Sequence, residues 1–142
     1  MRQWQPFLHA LAIELNTRLD SQSIRTLMHR LGVSMAQAAP LPATELLPDL
    51  EAAMNQVWAD MAWGHVELKD TGRMLEIRHH GAPLEMAFGR NSQCWSAALL
   101  EGVYETWLHA AGASESLHVN ALDSGSRSIS DDPQTLFFSL NA

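Results

Sequence analysis

The sequence predicts an α+β fold: N-terminal helices plus a small antiparallel sheet of two hairpins flanking one long central helix. Three observations carry this expectation. Apolar residues recur at three- and four-residue steps through residues 7–62. The period changes to two at Trp63-Gly64. Helical periodicity then returns in Trp95–Gly112, between two stretches of alternating residues.

Taken in order, residues 1–6 form a short polar lead containing Trp4 and Pro6. Phe7, Leu8, Leu11, Ala12, Leu15 and Leu19 then make a helical stripe ending near Asp20. Ser21 or Ser23 can cap a second helix, with Ile24, Leu27, Met28, Leu31 and Met35 on one side and Gly32 as a bend or break. Arg18, Arg25 and Arg30 fall on polar faces and read as solvated. Pro40, Pro42 and Pro48 mark a helix–helix connection, after which Thr44 or Asp49 can cap a third helix. Its stripe is Leu46, Leu50, Ala53, Met54, Val57, Trp58 and Met61.

Val66 and Leu68 alternate with Glu67 and Lys69, and Leu75 and Ile77 with Glu76 and Arg78. A two-residue Thr71-Gly72 loop pairs Val66 with Ile77 and Leu68 with Leu75, placing every large aliphatic on one face. Residues 79–93 read as a loop. The central helix follows, with Trp95, Ala98, Leu99, Gly102, Val103 and Trp107 as its apolar stripe. Ser96, Glu101, Glu105 and His109 form its other face. Gly102 sits on the apolar side, where glycine costs about 0.5–1 kcal/mol relative to alanine, so close approach of another backbone is expected there. Leu117, Val119 and Ala121, then Leu136, Phe138 and Leu140, form a second hairpin across a polar turn at 123–133. The chain is expected to be a single domain over 1–142: lead, helical part 7–62, and hairpin–helix–hairpin part 63–142.

Composition narrows the function classes. A net charge of -7 with scattered Lys and Arg argues against a nucleic-acid partner. No run of apolar residues is long enough to span a membrane. The lone Cys94 excludes an internal disulfide and a multi-Cys zinc site. The early apolar run is interrupted by His9 and Glu14 and lacks a small-residue cleavage site, so no cleaved export signal is expected.

Catalytic chemistry is not indicated. Cys94 lies near a helix start, but a nucleophile needs an oriented base, and the sequence selects none from seven histidines. It reads as a small core residue. Glu101 and Glu105 read as like charges on a wet helix face rather than an acid/base pair. His79 and His80 are adjacent and so point to opposite faces of a strand, with His65 sharing a face with His80. Without HExxH or His/Cys ligand spacing, no metal is expected. Gly81, Gly89 and Gly102 match no dinucleotide or phosphate loop, so no cofactor is expected either. Five tryptophans exceed what a core this size requires. Trp58, Trp95 and Trp107 fall on core stripes. Trp4, beside Arg2, Gln3 and Gln5, either belongs to a frayed terminus or suits stacking on a sugar ring.

The pieces MAWGHVEL (61–68), LLEGVYETW (99–107) and FLHALAIEL (7–15) resemble the D subunit of bacterial cellulose synthase complexes over roughly residues 7–140. That resemblance implies a non-enzymatic accessory protein, a cylindrical homo-octamer built as a tetramer of dimers. Its partners would be other synthase subunits and β-1,4-glucan chains passing through channels lined by N-terminal segments. Arg2, Gln3, Trp4 and Gln5 would then be the glucan-contacting positions. The family is usually described as periplasmic. The sequence itself favours a cytoplasmic location beside the inner-membrane synthase, with the periplasm as the alternative. The second half also looks loosely like small-molecule-binding domains of the 4-vinyl reductase type, which gives the rival expectation of a ligand-sensing adaptor.

Overall fold

The computed structural model describes residues 2–122 and 135–142. Helices α1 (Gln5–Arg18), α2 (Ser21–Ala38) and α3 (Leu47–Met61) precede strands β1 (His65–Asp70) and β2 (Leu75–His80). Short helices α4 (Leu84–Phe88) and α5 (Gln93–Ser96), separated by a 3-10 turn at Arg90–Ser92, lead into α6 (Ala98–Ala110). Strands β3 (His118–Ala121) and β4 (Thr135–Asn141) complete an antiparallel sheet ordered β1-β2-β4-β3. This is the α+β arrangement expected. The predicted polar turn at 123–133 lies outside the described residues.

Helix α6 is the packing centre. Leu100, Val103, Tyr104 and Trp107 are buried, and so are Glu101 and, in α5, Ser96, which leaves little of the expected wet face. Two glycines set its distance from α2. A Cβ on Gly102 would stand 2.2 Å from the His29 carbonyl oxygen, and one on Gly32 would stand 2.0 Å from that of Leu99. Gly32 therefore neither bends nor splits α2; it is a contact point. The buried stripe of α2 correspondingly runs through Ile24, Met28, Gly32 and Ala36, while Leu27 and Leu31 are exposed.

The other departures are local. Asp20, rather than Ser21 or Ser23, caps α2 by accepting from the Ser23 N–H at 2.6 Å. Helix α3 starts after Leu46 with no side-chain cap, so neither Thr44 nor Asp49 serves, and a proline in its first turn makes one missing N–H harmless. Of the α1 stripe only Ala12 is fully buried. The β1–β2 register places Val66 opposite His79, Leu68 opposite Ile77 and Asp70 opposite Leu75, two residues from the expected pairing. The aliphatics still share a face, because a slip of two preserves side-chain alternation. The stretch 79–93 holds the end of β2, α4 and part of α5 rather than one loop.

Both sheet edges are covered by helix side chains. Asn55 of α3 accepts from the Val66 N–H at 2.7 Å and donates to the Val66 carbonyl at 3.0 Å, and Glu51 accepts from the Leu68 N–H at 2.8 Å. On the opposite edge, Glu105 of α6 accepts from the Val119 N–H at 3.1 Å. Exposed edges invite strand addition; here side chains occupy those backbone groups.

Candidate functional site

An open cleft of about 890 Å³ lies where the start of α1, the α3–β1 corner, the β2–α4 connection and the ends of β3 and β4 converge. Four aromatic rings line it: Trp4 from the lead, Trp63 from the corner, and Phe137 and Phe138 from β4. Met61, Met86 and Leu136 add apolar surface, while Glu85, Gln93 and Ser96 supply polar groups.

The lead is held over this cleft by α4. Gln5 Nε2 donates to the Met86 carbonyl at 3.1 Å, and His9 Nε2 donates to the same oxygen at 2.8 Å. Pro6, in the first turn of α1, favours helix initiation here. Trp4 packs against Phe7 with ring centroids 6.0 Å apart at 75° and remains 58% exposed, which leaves ring surface for a ligand. Of the four positions singled out in the sequence, only Trp4 lines the cleft. Gln5 commits its amide to Met86, and Arg2 and Gln3 are exposed beside it.

Sequence reasoning missed Trp63 and Phe137. Trp63 stacks on Trp58 at 5.8 Å with an interplanar angle of 8°. It is only half-buried, and the remainder faces the cleft. Phe137 sits between the inward residues Leu136 and Phe138, with the Arg78 guanidinium 5.0 Å from its ring centroid. An aromatic at an outward position of a strand was the signal available.

Trp58, Trp95 and Trp107 are buried, as their core stripes predict. Trp58 contacts Trp63, His79, Tyr104 and Trp107 as the middle of one cluster. Trp95 donates to Asn16 at 2.9 Å and Trp107 to the Ala39 carbonyl at 3.0 Å. Behind the cleft, His79 is fully buried. Burial pushes its pKa down to about 4, so its ring is neutral near pH 7. Its Nε2 lies 2.7 Å from the Trp63 carbonyl, which can only accept, so Nε2 carries the proton and Nδ1 accepts from the Tyr104 hydroxyl.

The remaining candidates have structural partners. Cys94, expected in the core, is exposed, because Trp95 takes the inward position of α5. Arg25 is not a solvated surface charge: it pairs with Glu101 and donates to the Cys94 carbonyl at 2.8 Å. Burial raises the Glu101 pKa, and the Arg25 charge opposes that shift. Glu105 bonds His29 at 3.1 Å and His118 at 2.9 Å. Burial opposes its ionisation, but the bonds from His118 and the Val119 N–H together prevail, and its pKa is lowered.

A lowered carboxylate pKa stabilises the fold above the unfolded value, and that contribution disappears as pH falls through the folded one. Glu105→Gln is therefore expected to lower stability at pH 7, with the difference from wild type shrinking as pH falls below the ordinary glutamate range. Urea midpoints across pH 3–7 check this, and a constant difference would contradict it.

A family model for the D subunit of cellulose synthase matches residues 1–130. The chain is 29% identical over 110 residues to a cellulose synthase operon protein D of Komagataeibacter xylinus, covering 75% of this chain and 70% of that protein. It is 27% identical over 104 residues to a protein of the same description from Komagataeibacter sucrofermentans, covering 72% of this chain and 67% of the relative.

Proposed function

Because the chain belongs to the family of cellulose synthase D subunits, we propose that it serves bacterial cellulose synthesis as a non-catalytic accessory subunit that holds extruded β-1,4-glucan. The observation that carries this reading is the cleft, in which the one exposed tryptophan meets Trp63 and Phe137. Flat rings suit the apolar faces of pyranose units. Glu85 and Gln93 stand at the same wall as acceptor and donor for hydroxyls.

Self-assembly is the second part of the proposal. Helix α1 exposes Phe7 and Ile13 at 58% and 65%, and α2 exposes Leu27 and Leu31 at 40% and 44%. Apolar exposure of this kind marks association surfaces. Closure into a ring, as a tetramer of dimers, would bring the leads of several copies together. Among the described residues no helix is long and apolar enough to cross a membrane. In this proposal the assembly works beside the synthase on the cytoplasmic side, with fusion reporters in each compartment as the check.

Light scattering coupled to size exclusion tests the assembly: a species near eight chains supports it, and a monomer opposes it. Trp4→Ala tests the cleft. It should leave mass and helicity unchanged while weakening cello-oligosaccharide binding about tenfold, equivalent to about 1.4 kcal/mol. Unchanged binding would remove Trp4 from the contact, and unchanged cellulose crystallinity in the mutant strain would oppose the guiding role. The same cleft also favours one rival, a small-molecule adaptor. Saturable binding of compact apolar compounds in preference to cello-oligosaccharides would select it.

A further inference from the structure

On the sheet face opposite the core, β1 and β2 bring three ligand-type side chains together. His65 and His80 are directly paired across the strands, and Glu67 follows His65 by two residues on the same face. The two imidazoles stack with centroids 4.6 Å apart. Glu67 Oε1 lies 2.6 Å from His80 Nε2, and the ligand atoms of all three residues lie within 4.8 Å of one another. His80 is oriented from behind: its Nδ1 is 2.9 Å from the hydroxyl of fully buried Thr135. A hydrogen bond at the far ring nitrogen is what fixes a ligating histidine.

We propose that His65, Glu67 and His80 form a binding site for a zinc-class transition-metal dication. A hydrogen bond accounts for Glu67 and His80 alone; it leaves the stacked His65 without a role. Ligands around a tetrahedral zinc stand roughly 3.4 Å apart, given metal–ligand bonds of about 2.0–2.2 Å. Side-chain rotation on a fixed hairpin closes the present spacing to that value, because directly paired strand residues already have neighbouring Cβ atoms. On coordination the single proton of the neutral His80 ring shifts from Nε2 to Nδ1, where it is donated to the Thr135 hydroxyl, and the freed Nε2 lone pair binds the metal. Two imidazoles and one carboxylate favour zinc, nickel or copper over magnesium or calcium. The fourth position stays open to water. This site is separate from the cleft and does not depend on the glucan reading.

Calorimetric titration of the chelator-stripped full chain with zinc chloride tests it, with magnesium chloride as the comparison. One zinc per chain at micromolar affinity is expected, with magnesium far weaker. His65→Ala and Glu67→Gln, both at exposed positions, should each weaken zinc at least about tenfold, while His9→Ala should not. Circular dichroism verifies that each variant is folded. The proposal is overturned by absence of zinc binding, by equal affinity in the two variants and wild type, or by magnesium binding as tightly as zinc.

Discussion

Replacing Gly102 or Gly32 with alanine is expected to destabilise the protein by about 3 kcal/mol at each site. Intrinsic helix propensity predicts the opposite sign, a gain of about 0.5–1 kcal/mol per substitution. Contact decides. The new methyl would stand 2.2 Å from the His29 carbonyl oxygen in one case and 2.0 Å from the Leu99 oxygen in the other. These are backbone atoms inside helices, so they cannot rotate away; α2 and α6 must separate. Separation strains the Arg25–Glu101 and His29–Glu105 contacts along the same seam. Because both substitutions demand the same movement, the double variant should lose less than the sum. Urea unfolding measures all three. A change under about 0.5 kcal/mol for either single variant would mean that the seam is not held at the distance described.

The close approach at Gly102 was legible because a glycine on the apolar stripe of a good helix is otherwise a cost without a reason. Its partner was not legible. Gly32 read as a break, since a sequence does not say which helix will lie across a position. Glu101 and Glu105 misled for the same reason: their partners Arg25 and His29 stand 76 residues away in the chain. The hairpin register failed differently. Period-two patterning forbids a slip of one residue and tolerates a slip of two, so only turn chemistry could decide. Here Asp70 and Thr71 close a wider loop: Asp70 accepts from the Gly72 N–H at 2.8 Å, and the Thr71 N–H donates to the Met74 carbonyl at 3.0 Å. That widening makes His65 and His80 direct partners. Trp4 was flagged by its setting among hydrogen-bonding residues, but the cleft beneath it depends on Met86, which anchors the lead 77 and 81 residues away.

His79→Leu is expected to cost about 3 kcal/mol, and Tyr104→Phe about 1–3 kcal/mol, with the double variant at least about 1 kcal/mol milder than their sum. Each side chain is fully buried, so neither can recover its lost bond from water. Leucine at 79 leaves both the Tyr104 hydroxyl and the Trp63 carbonyl unpaired. Phenylalanine at 104 leaves only the His79 Nδ1 unpaired. In the double variant the shared loss is counted once, and the Trp63 carbonyl alone remains without its donor. Strict additivity would show that the two groups do not act as one network. The singles should also separate in function. Trp63 lines the cleft and is fixed by the 2.7 Å bond from His79 Nε2, which Tyr104→Phe keeps and His79→Leu removes. His79→Leu should therefore weaken cello-oligosaccharide binding at a temperature where the variant is fully folded, while Tyr104→Phe leaves it near wild type. Equal binding in both would show that the Trp63 ring is held by its stacking on Trp58, and that the buried histidine serves stability alone.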